Sequence, residues 1–110
     1  MPTATDEDIK AVKAARPGVE LELIEHPKYK DCDLIARPPT PAEWRMFISK
    51  SRNPVEGPTS EGFLVDACAV WPDKPARDLI LLTRPAVEHV WASEIGEMAG
   101  STRLATRRKL

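Results

Sequence analysis

Hydrophobic and polar positions along this chain change their period from one stretch to the next, and each change marks an element. Val19 to Ile24 reads V-E-L-E-L-I, an alternation of period two that puts Val19, Leu21 and Leu23 on one face of a strand and Glu20 and Glu22 on the other. Leu34 to Arg37 is apolar again and can pair back as a second strand. Between them, His26 to Asp33 is polar and carries Pro27 and several charges, which discourage regular structure. A lone hairpin is not stable in water, so a helix must pack on its apolar face. Ahead of it, Thr5 can cap a short helix running to about Ala15, with Asp6, Glu7 and Asp8 at the positive end of its dipole and Pro17-Gly18 to stop it. Ile9 and Val12 are its sizeable apolar residues, so this helix is marginal alone and needs a surface to lie on.

The run Arg37 to Trp44, RPPTPAEW, ends the extended part and starts a helix. Arg37 and Pro38 each precede a proline and are pushed towards extended backbone. Thr40 then reads as an N-cap, Pro41 as the first helical residue and Glu43 as the partner in a capping box. This helix is expected to reach about Lys50 and to present Trp44, Phe47 and Ile48 on an apolar patch. Ser51 to Pro58 holds Asn53, Pro54 and Gly57 and reads as a loop. A second helix, from Thr59 or Ser60, carries Phe63, Leu64, Ala67, Cys68 and Trp71 as a buried stripe, ended by Pro72. Asp73 can cap a short third helix with Leu79, Ile80 and Leu82. A last helix from Pro85 places Val87, Val90, Trp91, Ile95 and Met98 along one side before Gly100.

The order of elements predicts an α+β fold, mostly helical, with an N-terminal β-hairpin packed on a three- to four-helix bundle. One domain is expected over residues 1–100, with the helix and hairpin in 5–37 and the helical part in 40–100. Residues 101–110 lack a usable apolar face and are expected to form a basic, flexible tail.

Composition narrows the function by exclusion. At 42% hydrophobic and 30% charged residues, the chain is too apolar for a wholly disordered protein and too charged for a membrane one. No apolar run has the length of a bilayer span, and the acidic N-terminus is the opposite of a signal peptide, so the chain is expected to stay where it is made. Cys32 and Cys68 have no metal or redox spacing and are read as reduced. Cys68 falls in an apolar helical pattern and is expected to be buried, whereas Cys32 falls in a turn-like stretch open to solvent.

His26 and His89 have no nucleophile and orienting group arranged around them, so surface roles are the simpler reading. Asp31 with Asp33, and Glu94 with Glu97, lack a third ligand at motif spacing. The glycines form no phosphate cradle. No catalytic residue, metal site or cofactor site is therefore assigned, and an enzyme is the least favoured class. A net charge of −1 disfavours nucleic acid as a partner. Arg103, Arg107, Arg108 and Lys109 do cluster near the C-terminus without an interleaved aromatic, a pattern that favours a solvated end or a protein-docking arm over a nucleic-acid site. Core packing is the default for Trp44, Trp71 and Trp91, with room for one to stay partly exposed as tryptophans do at interfaces.

Three segments together resemble the small tail assembly chaperones of long-tailed bacteriophages. They are Arg37-Pro38-Pro39-Thr40 with Glu43-Trp44 and Phe47, then Ala67-Cys68-Ala69-Val70-Trp71-Pro72-Asp73, then Leu79, Leu82, Pro85 and the closing Met98-Ala99-Gly100. The resemblance covers roughly Val19 to Gly100. It implies a non-enzymatic factor of the host cytoplasm, absent from the mature virion, that engages the phage tape measure protein, keeps it soluble and helps tail tube protein polymerise around it. A homo-oligomer along the client is compatible with that role. On this reading the partner-binding residues are Trp44, Phe47 and Trp71, with Arg103, Arg107 and Arg108 as a docking arm. The competing readings are a structural tail completion or connector protein, and a nucleic-acid-binding regulator working through the basic tail.

Overall fold

The computed structural model describes residues 3–100. Helix α1 (Asp6–Ala15) starts with a full capping box: the Asp8 N–H donates to Thr5 Oγ1 at 3.2 Å and the Thr5 N–H donates to the Asp8 carboxylate at 3.0 Å. Gly18 takes a positive φ of 79°, which only glycine adopts without strain, and turns the chain out of the helix. Strands β1 (Glu22–Ile24) and β2 (Leu34–Ala36) then pair antiparallel, with Leu23 opposite Ile35 and Ile24 opposite Leu34.

After β2 come α2 (Pro41–Arg52), a single 3-10 turn (Gly57–Thr59), α3 (Ser60–Cys68), a third strand β3 (Ala69–Trp71), α4 (Lys74–Thr83) and α5 (Val87–Met98). β3 pairs antiparallel with β2, so the sheet has the order β1-β2-β3 with β2 central. The fold is α+β. The expected hairpin is thus two-thirds of a three-stranded sheet, and the reading of Ala69 to Trp71 as the end of the second helix is corrected. Val70 and Trp71 favour extended backbone, and Trp71 precedes a proline, which disfavours the α region.

β2 is buried on both faces, whereas in β1 only Ile24 is buried: Glu20 and Glu22 are exposed, as expected of the wet side, and Leu23 on the expected apolar side is 38% exposed. Ile24, Leu34 and Ala36 join the main core with Leu64, Cys68, Ile80, Trp91 and Ile95. Leu23 and Ile35 face the other way, where they line a cleft of about 140 Å³ with Ile9 and Val12 of α1 and with Leu21. The regular strand is also shorter than the alternation suggested, and Val19, outside it, is 42% exposed. The marginal helix α1 therefore has its surface, on the side of the sheet away from the core.

In the main core, Trp91, Leu34, Leu64, Ile80 and Ile95 are fully buried, and each such side chain contributes about 1.5–3 kcal/mol through the water it sheds. The Trp91 indole N–H donates to the Cys32 carbonyl at 3.0 Å, which fastens α5 beneath the loop between β1 and β2. Cys32 itself is completely buried, contrary to the exposure expected from its turn-like surroundings. That loop is folded inward by Arg84 at the end of α4, which donates to Asp31 at 2.6 Å and lies 4.0 Å over the Tyr29 ring. Burial raises the thiol pKa of Cys32, and that of Cys68 to about 11, so both are held as neutral thiols.

Asp73 caps α4 as expected, accepting from the Ala76 N–H at 3.1 Å. Arg77, which sequence periodicity did not single out, is buried and ties α4 back to α3 through the Pro72 carbonyl at 2.8 Å and Asp66 at 3.2 Å. Among the described residues, no helix is long and apolar enough to cross a membrane.

Candidate partner-binding surface

The segments Arg37 to Phe47 and Ala67 to Asp73, far apart in sequence, meet at one junction built around Arg37. Its guanidinium donates twice to Glu43, Nη1 to Oε1 and Nη2 to Oε2, each at 2.8 Å. The same Nη2 reaches the Ala67 carbonyl at 2.6 Å, and the Arg37 backbone N–H donates to the Cys68 carbonyl at 3.0 Å. One side chain thus ties the end of β2, the first turn of α2 and the C-terminal turn of α3, where carbonyls lack helical partners. Glu43 does double duty, because its Oε1 also accepts from the Thr40 N–H at 2.8 Å in the capping box predicted from sequence. The Arg37 guanidinium beside it is the main reason the Glu43 carboxyl falls from 4.5 to about 2.

From this junction α2 runs along the edge of the domain. None of its residues is fully buried, even though Trp44 and Phe47 pack against the core from outside and stack on each other with ring centroids 5.1 Å apart. Past the predicted end at Lys50, the helix continues to Arg52, so the start of the expected Ser51 to Pro58 loop is helical. The remainder is held by Asn53, whose Oδ1 accepts from the Val55 and Glu56 N–H groups, and closes in the 3-10 turn. Lys50 is fixed inward, 3.5 Å from Glu56 and 5.3 Å over the Phe63 ring.

On the outer flank of α2 lies a shallow, wide-open groove of about 460 Å³ lined by Trp44, Arg45, Ile48, Ser49 and Arg52, all of them from α2 itself. The sequence-assigned binding residues are therefore only partly brought together. Trp44 and Phe47 form one aromatic unit, and Trp44 reaches the groove. Trp71 is half-buried on β3, opposite Ile35, and stacks on neither ring among the described residues. Arg103, Arg107 and Arg108 lie outside the described residues. Arg45 and Arg52 were not selected from sequence. Their separation of seven, which keeps them on one flank of a helix, was the signal that could have found them.

Elsewhere, His89 is exposed and pairs with Glu61 at 2.6 Å, and His26 accepts from the Lys28 and Tyr29 N–H groups in the loop after β1. Glu94 lines a small cleft with Glu22, Glu25 and Met98. Partial burial and the neighbouring Glu97 raise its pKa. No three His, Cys, Asp or Glu side chains among the described residues are grouped to hold a metal ion. Comparison with known proteins gave no matching family model, no similar curated protein and no similar solved structure.

Proposed function

We propose that this chain is a tail assembly chaperone of a long-tailed bacteriophage, a non-enzymatic protein of the host cytoplasm that binds the tape measure protein and assists tail tube assembly. The resemblance in its short segments motivates the reading. The observation that carries it is their convergence, since the residues of the first two segments form the single junction at Arg37, Glu43 and Ala67. In this arrangement the sheet, clamped between α1 and the later helices, is scaffold, and the outer flank of α2, reached by Trp44, receives the client while Phe47 backs Trp44 from the core side.

The physical task fits a surface of this kind. A tape measure protein exposes long apolar helical seams before the tube encloses them, and covering such a seam takes an apolar groove with charged flanks on a small soluble domain. Co-expression with the tape measure protein of the same phage tests the role. The wild-type chain is expected to move that protein from the pellet to the soluble fraction, and Trp44→Ala to weaken the effect while the variant keeps its native circular dichroism spectrum. A client that stays insoluble with the wild type overturns the reading. Retention of this chain in purified virions, measured by mass spectrometry, would instead place it among the structural tail proteins.

A further inference from the structure

The cations of the domain divide into two kinds. Arg37, Arg77 and Arg84 are each bonded to a carboxylate, and Lys50 and Lys74 are paired as well. Arg45, Arg52, Lys10, Lys13, Arg16, Lys28 and Lys30 form no ion pair among the described residues, and of these Arg45 and Arg52 line the groove on α2. Seven residues apart on a helix, these two arginines stand two turns, about 10 Å, from each other. Trp44 and Ile48, one turn apart, supply the apolar wall beside them.

We propose that this groove binds an amphipathic helix whose apolar stripe is flanked by acidic side chains about two turns apart. The argument is one of charge complementarity along a fixed repeat. A helix laid beside α2 presents apolar residues at i and i+4 to Trp44 and Ile48, and carboxylates at two flanking positions seven residues apart to Arg45 and Arg52, each able to form bidentate bonds. An extended peptide has less to gain here, because the backbone groups of α2 are already bonded within the helix and offer no ladder. Nucleic acid fits less well, since the wall beside the aromatic ring is aliphatic Ile48 and the chain carries a net charge of −1. The inference deepens the chaperone reading by specifying the kind of client segment, and rests on it only for the client's identity.

Two synthetic helical peptides test it, identical in their Leu stripe and bearing Glu or Lys at the two flanking positions seven residues apart. Titration into the 15N-labelled full chain is followed through the indole N–H signals, of which Trp91 is buried and serves as an internal reference. The acidic peptide is expected to bind at least tenfold tighter than the basic one, moving the Trp44 signal and leaving that of Trp91 in place. The double charge reversal Arg45→Glu with Arg52→Glu, checked for native circular dichroism, is expected to invert the preference. The proposal is overturned if neither peptide binds, if both bind equally or if the reversal leaves the order unchanged. It is overturned too if Trp44 shifts on concentrating the protein alone, which assigns the groove to a second copy, or if single-stranded DNA moves it more than the acidic peptide does. A tape measure protein solubilised equally by wild type and the charge-reversed variant removes this groove and keeps the chaperone role. Binding of the acidic peptide with no effect on the client supports the groove and removes that role.

Discussion

Helices α2 and α5 are each 12 residues long and each carry a tryptophan, yet they are stabilised in opposite ways. α5 has no side-chain N-cap and buries Val87, Trp91, Ala92, Ile95 and Gly96, so packing holds it, helped by the Trp91 bond to the Cys32 carbonyl. α2 has a complete capping box, a proline in its first turn and a bidentate arginine at its start, yet no fully buried residue. A helix secured at its N-terminus by local bonds does not need all of its apolar surface for the core. Part of that surface is left over for something else, and that remainder is where Trp44 and Ile48 lie, beside the two arginines that form no ion pair among the described residues.

The largest test of the contrast compares the two tryptophans. Trp91→Ala is expected to cost about 3–5 kcal/mol, because it empties a fully packed site and strips the Cys32 carbonyl of its donor. Against a total stability of about 5–15 kcal/mol for a domain, that is enough to leave little native protein in mild urea. Trp44→Ala, at a half-buried ring, is expected to cost about 1–2 kcal/mol. Urea melts followed by circular dichroism read both. Equal losses would make Trp44 a core residue and remove it from the binding surface.

A smaller effect is expected from the charge that starts α2. The Glu43 carboxyl sits near 2 in the folded chain, below its ordinary 4.5. Its stabilisation is thus complete above the ordinary glutamate range and is lost as pH falls from about 4.5 towards 2. With both partners about one quarter exposed, solvent screening keeps the contribution to about 1–2 kcal/mol. Glu43→Gln should therefore lower the urea midpoint at pH 7 and flatten its dependence below pH 4.5, while retaining an oxygen for the Thr40 N–H. Glu43→Ala should lose the cap as well, by about a further 1 kcal/mol. An unchanged pH profile in the glutamine variant would mean that Arg37 holds the junction through the Ala67 and Cys68 carbonyls alone.

What could be read in advance follows the same division. The starts of α1, α2 and α4 were legible because Thr5, Thr40 and Asp73 act on neighbours three residues away, and α5 because its period and the glycine after it agree. Long-range effects were not legible. Cys32 looked exposed because the side chains that bury it, Arg84 and Trp91, come from α4 and α5. β3 looked helical because Ala67 and Cys68 continue the stripe of α3, and a strand of three residues needs β2 beside it to exist. Of the candidate surface, the aromatic pair was visible as helical neighbours. The spacing of Arg45 and Arg52 on α2 was there to be read too, but not which cations form no ion pair among the described residues.

The smallest expected effect is the most discriminating for the idea of a spare surface. Arg45→Ala and Arg52→Ala remove side chains that bond no carboxylate among the described residues, so each should change stability by no more than about 0.5 kcal/mol, the ordinary range for exposed positions. The corresponding change at the paired Arg37 should exceed this several-fold, because Glu43 and the Ala67 carbonyl both lose a donor. Urea midpoints for the three single variants, measured at pH 7 in the same buffer, set the two kinds of arginine side by side. If the Arg45 or Arg52 variant falls as far as the Arg37 variant, those side chains are holding the domain together, and the outer flank of α2 has no surface to offer a partner.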